Sequence, residues 1–164
     1  MKSMKISVVC LAVLSGLVLG SGTLFAHHGT GTSYDMHKVV VVKGVITKFN
    51  FANPHSQLYF DVTVPWTVTA EGEADKPETM SPEGGTVMHW SAEMRNPRNL
   101  MAQGHSRKEL MEKLAAGVEV TVTGNPSKSG TPVLVLGKAV TADGWCLCDQ
   151  AGSDEPGVAG TLVE

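Results

Sequence analysis

Histidine and cysteine are the residue types here with the most chemistry, and they sit in suggestive places. His27 and His28 directly follow Ala26, the end of a small, turn-prone stretch over 20–26 after which export peptidases are expected to cut. Cleavage there gives His27 a free α-amine. Amine and imidazole of one terminal histidine can chelate a metal, and His28 adds a second imidazole. Imidazole suits copper and zinc. With His55, which follows the turn residues Asn53-Pro54, they form a candidate copper or zinc site. The competing reading is that all three are solvated surface histidines. Cys146 and Cys148 are the second candidate. They are a thiolate pair for a soft metal, or a disulfide in an oxidising compartment. The two-residue spacing usual for catalytic thiols is missing. The third is a set of polar residues at alternate positions: Gln57, Tyr59 and Asp61, then His89, Ser91 and Glu93. They point to a polar sheet face that meets a ligand, against the plainer reading of an ordinary wet sheet. Methionines such as Met88 and Met94 alternate with polar residues beside Trp90 and are more simply core filler.

The elements that must carry these residues are legible in the periodicity. Residues 57–64 alternate Leu58, Phe60, Val62 and Val64 against Gln57, Tyr59, Asp61 and Thr63, which predicts a half-buried antiparallel strand. Residues 86–94 alternate likewise, with Trp90, Ala92 and the two methionines on one side. A long strand is expected over 38–51, with a bulge or bend at Gly44. Further strands are expected over 118–123 and 133–141. Between the third and fourth strands, Asn96-Pro97 suits a helix entry and Gly104 a stop. Ser106-Arg107-Lys108-Glu109 has the pattern of a capping box. Leu110, Leu114 and Met111 are the apolar residues of that helix, which Gly117 ends.

The resulting order predicts a mainly β domain, a five-stranded OB-fold-like barrel with a short helical segment between strands 3 and 4. A β-sandwich with a helical insert is its competitor. The expected organisation is a signal peptide over 1–26, an arm over 27–37 and the barrel over 38–145. Residues 66–85, rich in Gly, Pro and Glu, are expected as a flexible acidic loop, and 146–164 as a flexible acidic tail.

Charge narrows the partners. Residues 1–7 carry Lys2 and Lys5, and 8–19 are apolar but short of the ~20 residues a membrane helix needs. The competing reading of this stretch is an uncleaved membrane anchor. Loss of the leader takes the 13 basic residues to 11 against 16 acidic ones, a formal charge of −5. Nucleic acid is disfavoured, because its affinity rests on clustered Lys and Arg. No stable membrane span is expected after cleavage. Phosphate loops, nucleophile elbows and zinc-protease helices do not occur.

Several pieces, in order, resemble the DUF6152 family of small exported bacterial proteins of unknown function. They are Ala26-His27-His28, Tyr34-Asp35, Gly44-Val45-Ile46 and Phe49 to His55 with its Asn53-Pro54-His55. Trp90, Leu100 with Gly104, the helix starting at Ser106, Gly117, Val120-Thr121-Val122-Thr123-Gly124 and Asp143-Gly144 complete the set. The resemblance implies export and a compact β-barrel-like domain, and transfers no catalytic residue. The length of 66–85 and the Cys146-Leu147-Cys148 sequence depart from the family pattern.

The expected function is therefore an exported periplasmic, non-enzymatic binding or accessory module, acting on an unknown small ligand or envelope protein. The alternative is a periplasmic copper- or zinc-binding protein using the histidines of the mature amino terminus. An envelope hydrolase or redox enzyme is the weakest reading.

Overall fold

The computed structural model describes residues 30–148. They are mainly β. Strand β1 (Lys38–Asn50) is the spine, and its alternation places Val40, Val42, Gly44 and Ile46 inward. β2 (Gln57–Val62), β3 (Trp66–Ala70) and β4 (Glu78–Met80) follow, then β5 (Met88–Glu93), β6 (Glu119–Pro126), β7 (Val133–Thr141) and the short β8 (Cys146–Leu147). Helical turns are α1 (Thr30–Ser33), α2 (Pro97–Ala102) and α3 (Arg107–Lys113).

Five strands close on one another. β1 pairs with β6 along one edge and with β2 along the other; β2 pairs with β5, β5 with β7, and β7 with β6. All these pairings are antiparallel except β5 with β7. The ring is uneven: β5 and β7 meet only over residues 91–93 and 133–135, whereas β1 and β6 run together from 40 to 45. Closure gives the valine-rich strands an interior to bury. Phe60 stacks on Trp90 with centroids 6.5 Å apart, and Trp66 meets Trp90 edge-on at 5.5 Å. Leu58, Val62, Val122, Leu134 and Leu136 complete the core beside them.

The helical segment forms where its capping residues require. Asn96 Oδ1 accepts from the Asn99 amide at 2.9 Å, ahead of Pro97 at the first helical position. The Ser106–Glu109 capping box is reciprocal: Glu109 N–H donates to Ser106 Oγ at 3.1 Å, and Ser106 N–H to Glu109 Oε2 at 3.4 Å. Leu100, Leu110 and Leu114 are fully buried in the core.

Four expectations need correction. Residues 66–85 are not a plain solvated loop. β3 pairs with the start of β1 and β4 pairs with β3, and Trp66 is buried against Trp90. Backbone pairing and one indole outweigh the polar composition on either side. Residues 146 and 147 of the expected tail form β8 on β7, because Leu147 is wholly buried. β2 ends at Val62, leaving Val64 exposed before Pro65. Met111 is exposed, since Leu110 and Leu114 take the buried side of α3. The expected signal peptide, His27, His28 and the tail beyond Cys148 lie outside the described residues.

Candidate functional site

The six polar residues singled out above come together as one strip. In β2, Leu58, Phe60 and Val62 are buried while Gln57, Tyr59 and Asp61 are partly open to solvent. In β5, Trp90 and Ala92 are buried while His89, Ser91 and Glu93 face outward. The register sets Gln57 opposite Glu93, Tyr59 opposite Ser91 and Asp61 opposite His89. Directly opposed side chains on one face of an antiparallel pair are neighbours. The strip is therefore three cross-strand pairs on one outer face.

Each end of the strip holds a carboxylate fixed by an imidazole. His89 Nδ1 lies 2.6 Å from Asp61 Oδ1, with the ring 82% exposed. At the other end Glu93 has two partners. The Tyr34 hydroxyl donates to Oε2 at 2.7 Å, and His55 Nδ1 lies 3.2 Å from Oε1. Burial raises the Tyr34 phenol's pKa, and the Glu93 carboxylate raises it further, so Tyr34 stays a protonated donor. Between the ends, the Tyr59 hydroxyl donates to Gln57 Oε1, and Lys48 Nζ lies 5.8 Å from the Tyr59 ring centre.

Tyr34 reaches Glu93 because the arm is tied down. After α1, Tyr34 bridges to Ser127, the Asp35 amide donates to Pro126 O at 2.8 Å, and the Lys128 amide donates to Ser33 O at 3.0 Å. The arm thus crosses the β6–β7 turn and delivers a buried phenol to β5. Sequence reasoning placed Tyr34 in a polar arm and gave it no role in the site. Its contact spans 59 positions, and no local pattern reports such a distance. The signal available was an aromatic in a polar, glycine-containing arm of a chain with only two tyrosines.

Of the three candidate histidine ligands, the structure describes His55, and its partner among the described residues is Glu93. The two imidazole–carboxylate pairs do not merge. Four residues of strand separate them, roughly 13 Å at strand rise. Among the described residues no group of three or more His, Cys, Asp or Glu could hold a metal ion. Cys146 and Cys148 stand apart from the strip on β8 and just beyond it, as free thiols.

The strip can accept hydrogen bonds and positive charge. It carries two carboxylates and a carboxamide, offers hydroxyls at Tyr59 and Ser91, and has one ammonium at its margin. Its tyrosine ring gives an apolar surface for one flat or ring-shaped group.

A family model described as a family of unknown function (DUF6152) matches residues 14–81, overlapping the stretch whose residues resemble that family. No curated protein and no solved structure matches the chain.

Proposed function

We propose, with the match to this family of unknown function as the premise, that the chain is an exported periplasmic binding module. In this reading it is not an enzyme. The fold is of OB type: a bent first strand shared by both sides of a five-stranded ring, a parallel closure, and a helical segment before the fourth ring strand. The ligand face is the β2–β5 strip. The observation that supports it is the register that aligns Gln57, Tyr59 and Asp61 with Glu93, Ser91 and His89.

The strip's chemistry favours a small hydroxylated or cationic ligand. Single-stranded nucleic acid wants several stacking aromatics over a basic groove. Here one tyrosine lies between two carboxylates. The test is amide-resolved NMR titration of the full chain with glucosamine oligomers and with spermidine. Shifts confined to β2, β5 and Tyr34, and lost in both Asp61→Asn and Glu93→Gln, are expected for one of the two probes. Shifts elsewhere on the ring, or none with either probe, would sink the reading. Amino-terminal sequencing of the protein recovered by osmotic shock should begin at His27.

A second reading is a copper or zinc centre built from His27, His28 and His55. It is favoured by one observation. His55 and Tyr34 meet on Glu93, and the chain leading back from Tyr34 reaches His28 within six residues. Calorimetric titration of the cleaved protein with Cu(II) and Zn(II) separates the readings. Affinity tighter than millimolar that disappears in His55→Ala supports the metal centre; its absence leaves the strip alone.

A further inference from the structure

Leu147 is wholly buried and pairs with Ala139 of β7, while Cys146 pairs with Val140. Alternation along an extended chain then puts the residues flanking Leu147 on the same outer side. The Cys146 and Cys148 Sγ atoms lie 2.8 Å apart, both as free thiols. Two residues of extended chain separate their Cα atoms by roughly 6.6 Å, inside the span of about 4.4–6.8 Å that a disulfide bridges.

The backbone leading into the pair is held from several sides. The Thr141 amide donates to Trp145 O at 3.0 Å, and the Trp145 amide to Asp143 Oδ1 at 3.2 Å. The Trp145 indole donates to Glu109 Oε1 at 2.7 Å, and the His105 ring packs edge-on against it at 5.3 Å. Buried Leu147 and anchored Trp145 therefore present the two thiols side by side at the surface. Packing alone does not require sulfur at either position, since the buried residue is the leucine between them.

We propose that Cys146 and Cys148 are a dithiol that exchanges with external disulfides, cycling between two thiols and an intramolecular disulfide. Cys148 is exposed and Cys146 only partly so, which sets the order. Cys148 gives its proton to solvent, and its thiolate attacks one sulfur of the external disulfide. A mixed disulfide forms, and one thiolate leaves and takes up a proton. Cys146 then gives up its proton and attacks Cys148 Sγ. The intramolecular bond forms, and the second thiolate leaves and is protonated. Two protein thiols are oxidised and one external disulfide is reduced to two thiols.

Burial and the neighbouring Cys148 push the Cys146 thiol up to about 11, against a small opposite pull from Lys138. Once Cys148 is held in the mixed disulfide its share of that rise is gone, and proximity favours the second, intramolecular step.

The test uses the full chain carrying Cys10→Ser, reduced, exposed to oxidised glutathione at pH 8, quenched with acid and weighed by mass spectrometry. The pair should lose two hydrogens with no lasting adduct, and dithiothreitol should restore them. Cys146→Ser should accumulate one glutathione adduct, and Cys148→Ser should do so at least about tenfold more slowly. Unchanged melting of both variants would keep the comparison on folded protein. A stable glutathione adduct or a cross-linked dimer in place of the ring would overturn the proposal. So would equal rates for the two variants, or a bond that dithiothreitol does not open.

Discussion

Glu93 is the residue on which distant parts of the chain converge: a phenol from the arm, an imidazole from the β1–β2 connection, and Gln57 across the strand pair. Tyr34 is buried, so its hydroxyl must find an acceptor on folding, and Glu93 is the one it has. A hydrogen bond to a charged acceptor contributes about 1.5–3 kcal/mol, less when the acceptor is partly wet. Tyr34→Phe should therefore lower unfolding stability by about 1–2 kcal/mol in urea, with an unchanged m-value. Ser56 poses the opposite case. It is fully buried, and its hydroxyl has no hydrogen-bond partner among the described residues, while its backbone is paired with Met94 and Arg95. Ser56→Ala removes a desolvated hydroxyl without loss of a bond, and should leave stability equal or raise it by up to about 1 kcal/mol. The same urea curves check both.

At the scale of elements, two glycines let strands approach. A Cβ on Gly44 would sit 2.5 Å from the Asp61 carbonyl oxygen, and one on Gly124 would sit 2.1 Å from that of Val135. Gly44 lies where β1 passes from pairing with β6 to pairing with β2, next to a register shift between Ile46 and Lys48. Gly124 lies at the register shift between β6 and β7. In both cases the obstacle is backbone, which cannot rotate away. Gly44→Ala should cost about 2–3 kcal/mol by overpacking. Because the displaced atom belongs to Asp61, it should also move the His89 ring resonances, an effect NMR would detect. An unchanged His89 spectrum would mean that β1 yields and β2 does not.

The whole molecule stands on one apolar interior and on surface ties whose strength depends on pH. Phe60→Ala removes the ring stacked on Trp90 from the middle of the interior, and should cost about 3–5 kcal/mol in the same unfolding assay. Asp143 is the clearest acid-sensitive tie. The Lys113 ammonium, then the Thr141 hydroxyl and the Trp145 amide, hold its carboxyl well below the usual 3.8. A depressed folded-state pKa adds stability that is fully present above the unfolded value and is lost as pH falls towards the folded one. The melting temperature of the wild type should exceed that of Asp143→Asn by a constant amount above about pH 5. The gap should begin to narrow near pH 4 and still be narrowing at about pH 2. A gap that stayed constant down to pH 2 would remove Asp143 as a source of acid sensitivity.

What the sequence determined by itself was local. Alternation in 57–62 and 88–93 named both the buried and the outward residues, because a strand's side chains have a period of two whatever lies across from them. The Asn96 cap and the Ser106–Glu109 box were legible because a cap is made by residues three apart. The tertiary structure alone decided which outward residues become neighbours. Register aligned β2 with β5, ring closure carried Tyr34 to Glu93, and the burial of Trp66 and Leu147 drew polar segments onto the sheet. These outcomes depend on contacts between positions far apart in the chain, whose free energy appears only once the strands have closed around a shared interior.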